Sequence, residues 1–233
     1  MRYPKFLENG GTIGFTAPSF GCTTEPYKSC FEEALKRFEE LGYKTEVTPD
    51  CYMSDGVGIS TDPKECAKEL EYIYSGSESD VIISVGGGEL MCDTIAEVDF
   101  ESLKKCEPKW YMGYSDNTNF TFLLNTLLDT ASIYAPCAPS FGMKPWDKAL
   151  QQDMDILTGK TSSVKGFDKW EKESLKSDEN PYAPYNLTEE KRQGQYSPVY
   201  EDEAGTIFFA SRDLCMIEYL DKFIRAGVST LTI

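Results

Sequence analysis

The fold is indicated first by residues 80–88, DVIISVGGG, in which an apolar segment runs directly into three glycines. The apolar residues do not alternate with polar ones, which is typical of a parallel strand that is covered on both faces of a sheet. A glycine run after such a strand lets the backbone approach a ligand closely. Residues 80–85 are therefore predicted to form a central strand, followed by a functional loop at its carboxyl end.

Strand-like and helix-like segments alternate on both sides of this strand, as far as about residue 160. The predicted strands cover residues 12–18, 44–48, 80–85, the segment around Trp110 and residues 132–135. The predicted helices cover residues 25–41, 62–74, 89–95, 119–128 and 147–157. This alternation predicts an α/β fold with an open, mostly parallel sheet that is wrapped by helices.

The chain changes character after this region, so three segments are predicted. Residues 1–160 form an N-terminal α/β domain. Residues 161–204 are acidic and rich in Pro and Tyr, which favours a linker or loop. Residues 205–233 look like the remnant of a second domain, an incomplete α/β segment with a strand at 206–210 and a helix at 213–225. The chain ends on an apparent strand, which favours a truncated product.

Composition excludes several classes of partner. The 233 residues carry a formal net charge of -16, so nucleic acid and anionic membranes are not expected partners. No apolar run has the length of a membrane span, and the N-terminus lacks the apolar core of a signal peptide. Eight cysteines occur without a Cys-x-x-Cys pair, which predicts reduced thiols, a cytoplasmic protein and no metal site.

Histidine is absent from the chain, and this is the strongest restriction on its chemistry. Histidine is the commonest general base and the commonest metal ligand in proteins. A Ser-His-acid mechanism therefore cannot be assembled from this polypeptide alone.

A serine in residues 109–118, KWYMGYSDNT, is the candidate nucleophile. An apolar strand runs into Gly113-Tyr114-Ser115-Asp116 and then at once into a predicted helix. A serine on a sharp strand-to-helix turn projects its hydroxyl from the end of the sheet. Two interpretations remain open, because Asn117 replaces the second glycine of the usual elbow and serine is also a favoured N-cap.

The three glycines also allow more than one interpretation. A phosphate-binding loop is opposed by the missing Gly-x-Gly-x-x-Gly pattern and by Glu89, which would repel phosphate. A glycine amide and the amide of Asp116 could instead form an oxyanion hole, which needs two donors near the nucleophile. A tight turn without a ligand remains the third interpretation. The Asp116 side chain could orient a substrate amine, tie down the elbow or stabilise the first helical turn.

In combination, these motifs resemble those of the LD-carboxypeptidase and microcin-immunity (MccF-like) serine peptidases. The resemblance covers about residues 10–160 and rests on Ala17-Pro18-Ser19, residues 86–88, residues 108–118 and residues 134–136. It implies a Rossmann- or flavodoxin-like domain with helices on both faces of a mostly parallel sheet, followed by a β-rich domain. It also implies a dimer without a cofactor.

The resemblance further implies a Ser-Glu-His triad in which Ser115 is the nucleophile. The oxyanion donors would be backbone amides of Gly87 or Gly88 and of Asp116. Candidate substrate-binding residues are Glu89, Asn117 and Trp170. The implied substrates are peptides cleaved at an LD bond, as in murein, or peptidyl-nucleotide antibiotics, and the motifs lean towards the second branch.

Two departures from the family pattern lower the expected activity. The triad histidine is missing, and the position expected for the triad glutamate is occupied by Ala210. A serine without a base is a poor nucleophile at neutral pH. The prediction is therefore an LD-carboxypeptidase-like serine peptidase that is weakly active or inactive. The alternative is a non-catalytic module that binds ligands in the same crevice.

Overall fold

The computed structural model describes residues 1–56 and 58–166, together with the backbone of three strands at 185–188, 196–202 and 205–208. The chain divides into two units, Met1–Lys165 and Gly166–Ile233. The first unit contains all of the motifs on which the family resemblance rests. Trp170, Ala210 and the helix predicted at 213–225 lie outside the described residues.

The first unit is built on a five-stranded parallel sheet with the strand order β2-β1-β3-β4-β5. The strands are β1 (Thr12–Thr16), β2 (Lys44–Val47), β3 (Val81–Ser84), β4 (Trp110–Gly113) and β5 (Ile133–Tyr134). The predicted α/β fold with a mostly parallel sheet is confirmed, and the order is that of flavodoxin-like proteins.

Helices cover both faces of this sheet. They are α1 (Tyr27–Glu40), α2 (Pro63–Glu71), α3 (Met91–Ile95), α4 (Phe100–Leu103), α5 (Thr118–Thr126) and α6 (Lys148–Leu157). Helix α2 lies within the helix predicted at 62–74. It begins after an N-cap residue, Asp62, whose side chain accepts a hydrogen bond from the amide of Lys64. Helix α1 ends before Gly42, whose φ of 88° suits the residue that follows a helix.

Two hydrophobic cores explain why the central strands are apolar on both faces. Ile83 and Met112 point into a core with α1 and α6, whereas Ile82 and Tyr111 point into a core with α2 and α5. Successive strand residues thus alternate between two buried faces, as the continuous apolar run of β3 requires. In the second core, the Tyr111 ring meets Phe120 edge to face at 4.8 Å.

The described part of the second unit is a three-stranded antiparallel sheet. Its strands are β6 (Tyr185–Thr188), β7 (Tyr196–Asp202) and β8 (Gly205–Phe208), in the order β6-β7-β8. The prediction of a linker or loop over residues 161–204 does not hold at β6 and β7. Prolines and acidic residues favoured a loop, but β7 contains Pro198 and still pairs with both of its neighbours.

The carboxyl ends of the parallel strands carry the candidate site. The chain leaves β1 and β3 towards opposite sides of the sheet, and in such folds ligands bind at this switch point. The loops after β1, β3 and β4 meet there. Among the described residues, no helix is both long and apolar enough to cross a lipid bilayer.

Candidate active site

Ser115 occupies a sharp turn between β4 and α5. Tyr114 is extended, with φ of -133°, and Ser115 then adopts a φ of 60°, the left-handed conformation that most residues avoid. An N-cap residue would have a φ in the extended region instead. The backbone therefore has the strained geometry of a nucleophile elbow, and the Ser115 side chain is exposed at the end of the sheet.

Asn117 occupies the position at which the usual elbow has its second glycine. It is fully buried, its Nδ2 donates to the carbonyl oxygens of Gly86 at 2.7 Å and Tyr114 at 3.1 Å, and its Oδ1 accepts from the Tyr111 hydroxyl. This corrects the expectation that Asn117 binds substrate, because the side chain is already satisfied inside the protein. Asn117 instead supports the elbow from below.

The three glycines differ in what they face. A Cβ atom on Gly87 would lie 3.1 Å from Ser115 Oγ and 3.9 Å from the amide nitrogen of Asp116. A Cβ atom on Gly88, which has a φ of 143°, would lie 2.1 Å from Ser19 Oγ. Of the two candidate glycines, Gly87 is thus the one directly beside Ser115, whereas Gly88 packs against the loop after β1.

The Asp116 side chain joins three segments of the site. Its carboxylate accepts hydrogen bonds from the Ser19 hydroxyl, from the Met91 amide at 2.8 Å and from Asn119 Nδ2 at 2.9 Å. Three roles were considered for this side chain, and its contacts fit the one in which it holds the elbow in place. Its backbone amide lies in the first helical turn after Ser115, where N–H groups have no acceptor four residues earlier.

Asp50 forms part of the floor beneath the loop after β1. The carboxyl group is fully buried and accepts hydrogen bonds from the hydroxyls of Thr16, at 3.1 Å, and of Thr48. Burial raises the pKa of Asp50, and its hydrogen-bond donors act in the opposite direction. Nearby, the Ser60 hydroxyl donates to the carbonyl oxygen of Ala17 at 2.6 Å, which holds the loop above.

Exposed side chains surround Ser115. The Tyr134 hydroxyl accepts a hydrogen bond from the amide of Ser115 at 3.4 Å, and Tyr134 is 65% exposed. Burial raises the pKa of Tyr114, and Cys137, Tyr27 and Tyr134 raise it further. Glu89, a candidate substrate-binding residue, is exposed in the glycine loop, where its amide donates to the carbonyl oxygen of Gly58.

In the part of the chain that the structure describes, no base lies beside the Ser115 hydroxyl. Within residues 1–56 and 58–166 this hydroxyl has no hydrogen-bond partner, and the chain contains no histidine to supply one. The buried thiols nearby are not better nucleophiles. Burial raises the pKa of Cys22 to about 12 and that of Cys137 to about 11, so both stay protonated at neutral pH.

The same part of the chain offers no metal site. Among its described residues, no group of three or more Cys, Asp or Glu side chains is placed to hold a metal ion. The site combines an exposed serine, a crowded glycine loop and backbone amides. Serine hydroxyls and paired amide donors are the groups that acyl transfer at a carbonyl group uses.

Comparison with family models identifies this arrangement. A model of the LD-carboxypeptidase N-terminal domain matches residues 13–135, which is more than half of the chain. The protein belongs to the LD-carboxypeptidase family. This match spans β1 to β5 and all three loops of the site, and it confirms the family predicted from the motifs.

Solved structures of family members have the same fold. MccF in complex with glutamyl sulfamoyl guanosine is 26% identical, with a TM-score of 0.65 over 76% of this chain and 54% of that one. An MccF-like protein from Bacillus anthracis str. Ames is 22% identical, with a TM-score of 0.60 over 68% and 47%. A muramoyltetrapeptide carboxypeptidase from Oxalobacter formigenes is 20% identical, with a TM-score of 0.53 over 63% and 48%. The last two comparisons support the fold alone.

The chain spans about half of the length of these LD-carboxypeptidase-family structures. A second family model, that of peptidase family U32, matches residues 179–233, most of which lie outside the described residues. A comparison with curated proteins gives no match.

Two residues of the site were missed by the sequence interpretation. Ser19 was noted only as part of the Ala17-Pro18-Ser19 motif, and Tyr134 only as part of Tyr134-Ala135-Pro136. Both motifs follow predicted strands, so the position of these residues at the carboxyl edge was a usable signal. The contacts of Ser19 with Asp116 and of Tyr134 with Ser115 could not be read from either motif.

Proposed function

We propose that Ser115 is the nucleophile of an LD-carboxypeptidase-type serine peptidase. Its Oγ attacks the carbonyl carbon of a peptide amide, and the amides of Gly87 and Asp116 stabilise the oxyanion. The carbon–nitrogen bond then breaks, the amine leaves with the proton that the serine released, and water hydrolyses the acyl-enzyme. The positive φ of Ser115, beside the crowded Gly87, is the observation that carries this proposal.

The proposed substrates are short peptides with an LD bond near a free carboxylate, or peptidyl nucleotides. The second class is supported by the MccF structures, whose ligands include glutamyl sulfamoyl guanosine and aspartyl sulfamoyl adenosine. Glu89 at the rim of the crevice is proposed to contact such a ligand. Trp170 remains a predicted substrate-binding residue outside the described part of the chain.

The activity of these 233 residues alone is proposed to be low. The proton of Ser115 needs an acceptor, and the chain has no histidine and carries Ala210 at the position expected for the triad glutamate. Binding and oxyanion stabilisation alone still leave about 10³- to 10⁴-fold acceleration over water in serine proteases that lack triad members. An external base should therefore raise the rate.

Imidazole rescue tests the proposal directly. Hydrolysis of an L-lysyl-D-alanine-terminated murein tetrapeptide and of glutamyl sulfamoyl adenosine is measured with 0 to about 200 mM imidazole. We expect a rate that rises with the imidazole base form and disappears in Ser115→Ala. A rate that is independent of imidazole, or is unchanged in Ser115→Ala, contradicts the proposal.

A non-catalytic binding function is the second candidate. It is favoured by the Ser115 hydroxyl, which has no hydrogen-bond partner among residues 1–56 and 58–166. Calorimetric titration with glutamyl sulfamoyl adenosine separates the two functions. Saturable binding that Ser115→Ala leaves unchanged, without turnover at any imidazole concentration, would establish the binder.

We further propose a cytoplasmic homodimer in which residues 1–160 carry the site and residues 205–233 belong to a second domain. The family resemblance supports the dimer and the second domain. Sedimentation equilibrium gives the mass of the assembly, and a monomer at micromolar concentration contradicts the dimer.

A further inference from the structure

Ser19 is a buried residue in the loop after β1, and its contacts reach the two other loops of the site. Its side chain is 0% exposed, and its hydroxyl donates a hydrogen bond to the carboxylate of Asp116, 97 positions later in the sequence. The next residue, Phe20, donates its amide to the carbonyl oxygen of Gly87 at 2.8 Å. Ser19 therefore links the nucleophile elbow to the glycine loop.

The space around Ser19 is closed on the other sides. Its carbonyl oxygen accepts a hydrogen bond from the amide of Ser60, and its hydroxyl lies 3.5 Å from the carbonyl oxygen of Gly58. Gly88 packs so closely that a Cβ atom there would lie 2.1 Å from Ser19 Oγ. The hydroxyl consequently has a fixed position from which to bind Asp116.

The hydrogen bond from Ser19 to the Asp116 side chain also helps to fix the backbone amide of Asp116. The Asp116 carboxylate holds the Ser19 hydroxyl and the Met91 amide on one oxygen, and Asn119 on the other. Hydrogen bonds to an ionised carboxylate are stronger than those between neutral groups. They anchor the residue whose own amide lies beside Gly87 and Ser115.

We propose that Ser19 is a positioning residue of the oxyanion pocket. Through the Asp116 carboxylate it holds the Asp116 amide in register with Gly87, on either side of the Ser115 hydroxyl. This inference rests on the proposed function, because it assigns Ser19 to the pocket that stabilises the tetrahedral intermediate. Ser19 itself does not contact the substrate.

The position of a donor affects the transition state more than the bound substrate, because the oxyanion forms only during the reaction. A small displacement of a catalytic group costs on the order of 100-fold in rate. Removing the Ser19 hydroxyl should accordingly lower kcat by about 10- to 100-fold. KM should stay within about twofold, because the contacts that bind substrate and transition state equally are unchanged.

Three variants test this role in the full chain. Ser19→Ala removes the hydroxyl, and Ser19→Cys replaces it with a slightly larger thiol that donates only weakly. Ser79→Ala is the matched control, because Ser79 is a buried serine near the amino end of β3, away from the site. The kcat and KM of imidazole-supported hydrolysis are measured together with amide hydrogen exchange by NMR.

We expect a lower kcat for both Ser19 variants, with faster exchange at the amides of Met91 and Asp116, and neither effect in Ser79→Ala. Ser19→Cys with wild-type kcat and exchange would overturn the proposal, because packing alone would then suffice. If Ser19→Ala does not fold, Asp116→Asn tests the same bond, since it keeps the shape and removes the charge. Unchanged exchange at Met91 in Asp116→Asn overturns the proposal as well.

Failure of the proposed function gives a different result. If wild-type protein shows no imidazole-dependent hydrolysis, the peptidase proposal fails, and the assignment of Ser19 to an oxyanion pocket fails with it. The exchange data still show whether Ser19 holds the Asp116 amide. Hydrolysis in the wild type with unchanged kcat in Ser19→Ala overturns the Ser19 role alone.

Discussion

Gly87 faces Ser115 so closely that a Cβ atom on Gly87 would lie 3.1 Å from the Ser115 hydroxyl oxygen. The same atom would lie 3.9 Å from the amide nitrogen of Asp116. A side chain at this position would therefore fill the space between the nucleophile and the neighbouring amide. The φ of Gly87 lies outside the left-handed region, so its backbone conformation would also suit other residues. The requirement for glycine therefore comes from the lack of space beside Ser115.

Gly87→Ala is expected to abolish most of the reactivity of Ser115 while the fold is retained. The methyl group enters the space where the oxyanion would bind, and loss of one oxyanion donor costs about 10²- to 10³-fold in serine proteases. The rate of Ser115 modification by a fluorophosphonate in imidazole buffer measures the effect. The melting temperature should change by less than about 3 °C, because the backbone conformation suits alanine.

Gly166→Ala is the control for this change, since a Cβ atom at Gly166 would have no neighbour within 4 Å. Equal modification rates in Gly87→Ala and Gly166→Ala would contradict the position of the oxyanion pocket.

Asn117→Ala is expected to destabilise the protein by about 3 kcal/mol. The substitution leaves the buried Tyr111 hydroxyl without its acceptor, Asn117 Oδ1. The carbonyl oxygen of Gly86 loses one of its two donors and keeps the Ser84 hydroxyl. The free energy of unfolding from urea titration measures the loss, and Asn9→Ala is the control because Asn9 is exposed. A loss below about 1 kcal/mol would argue that water satisfies these groups and that Asn117 is accessible.

Asp153→Asn is expected to change how stability depends on pH. Burial raises the pKa of Asp153 to about 6, with a smaller contribution from Asp147, and one oxygen of the half-buried carboxyl is buried without a hydrogen-bond partner. The folded state therefore holds the proton more tightly than the unfolded state. Stability is lost as the pH rises from the ordinary aspartate pKa of about 4 through about 6.

The variant should consequently be more stable than the wild type at pH 7 and should lose its advantage near pH 4. The full shift corresponds to about 3 kcal/mol, and solvent screening of the half-exposed group reduces the expected gain to about 1 kcal/mol. Urea titrations at pH 4, 5, 6 and 7 measure it, with the exposed Glu97→Gln as control. A difference that is constant with pH would refute the assignment to Asp153.

Tyr134→Phe is expected to slow the imidazole-supported reaction of Ser115 by about fivefold, which is the worth of one ordinary hydrogen bond. The hydroxyl accepts the amide hydrogen of Ser115 and so helps to hold the strained elbow. Tyr3→Phe is the matched control, since Tyr3 is 72% exposed and Tyr134 is 65% exposed. If Ser115 reacts at the same rate in Tyr134→Phe and Tyr3→Phe, the Tyr134 hydroxyl does not contribute to the site.

Much of the first unit was predictable because its signals are local. The apolar run at residues 80–85 identified a strand that is covered on both faces, and β3 has this burial. Asp62 caps α2 and Gly42 follows α1, and such capping chemistry depends on only a few neighbouring residues. Residues 161–204 were less predictable, since pairing between strands can override a composition that favours loops.

By itself, the sequence determined the α/β fold, the family and the serine at the strand-to-helix turn, because periodicity and turn chemistry act over short distances. Only the tertiary structure decided that Gly87 rather than Gly88 faces Ser115, that Asn117 is buried, and that Ser19 binds Asp116. The last contact joins residues 97 positions apart, and the sheet brings them together only when β1 and β4 both lie beside β3. Distances between loops of different strands are set by packing, so no local pattern records them.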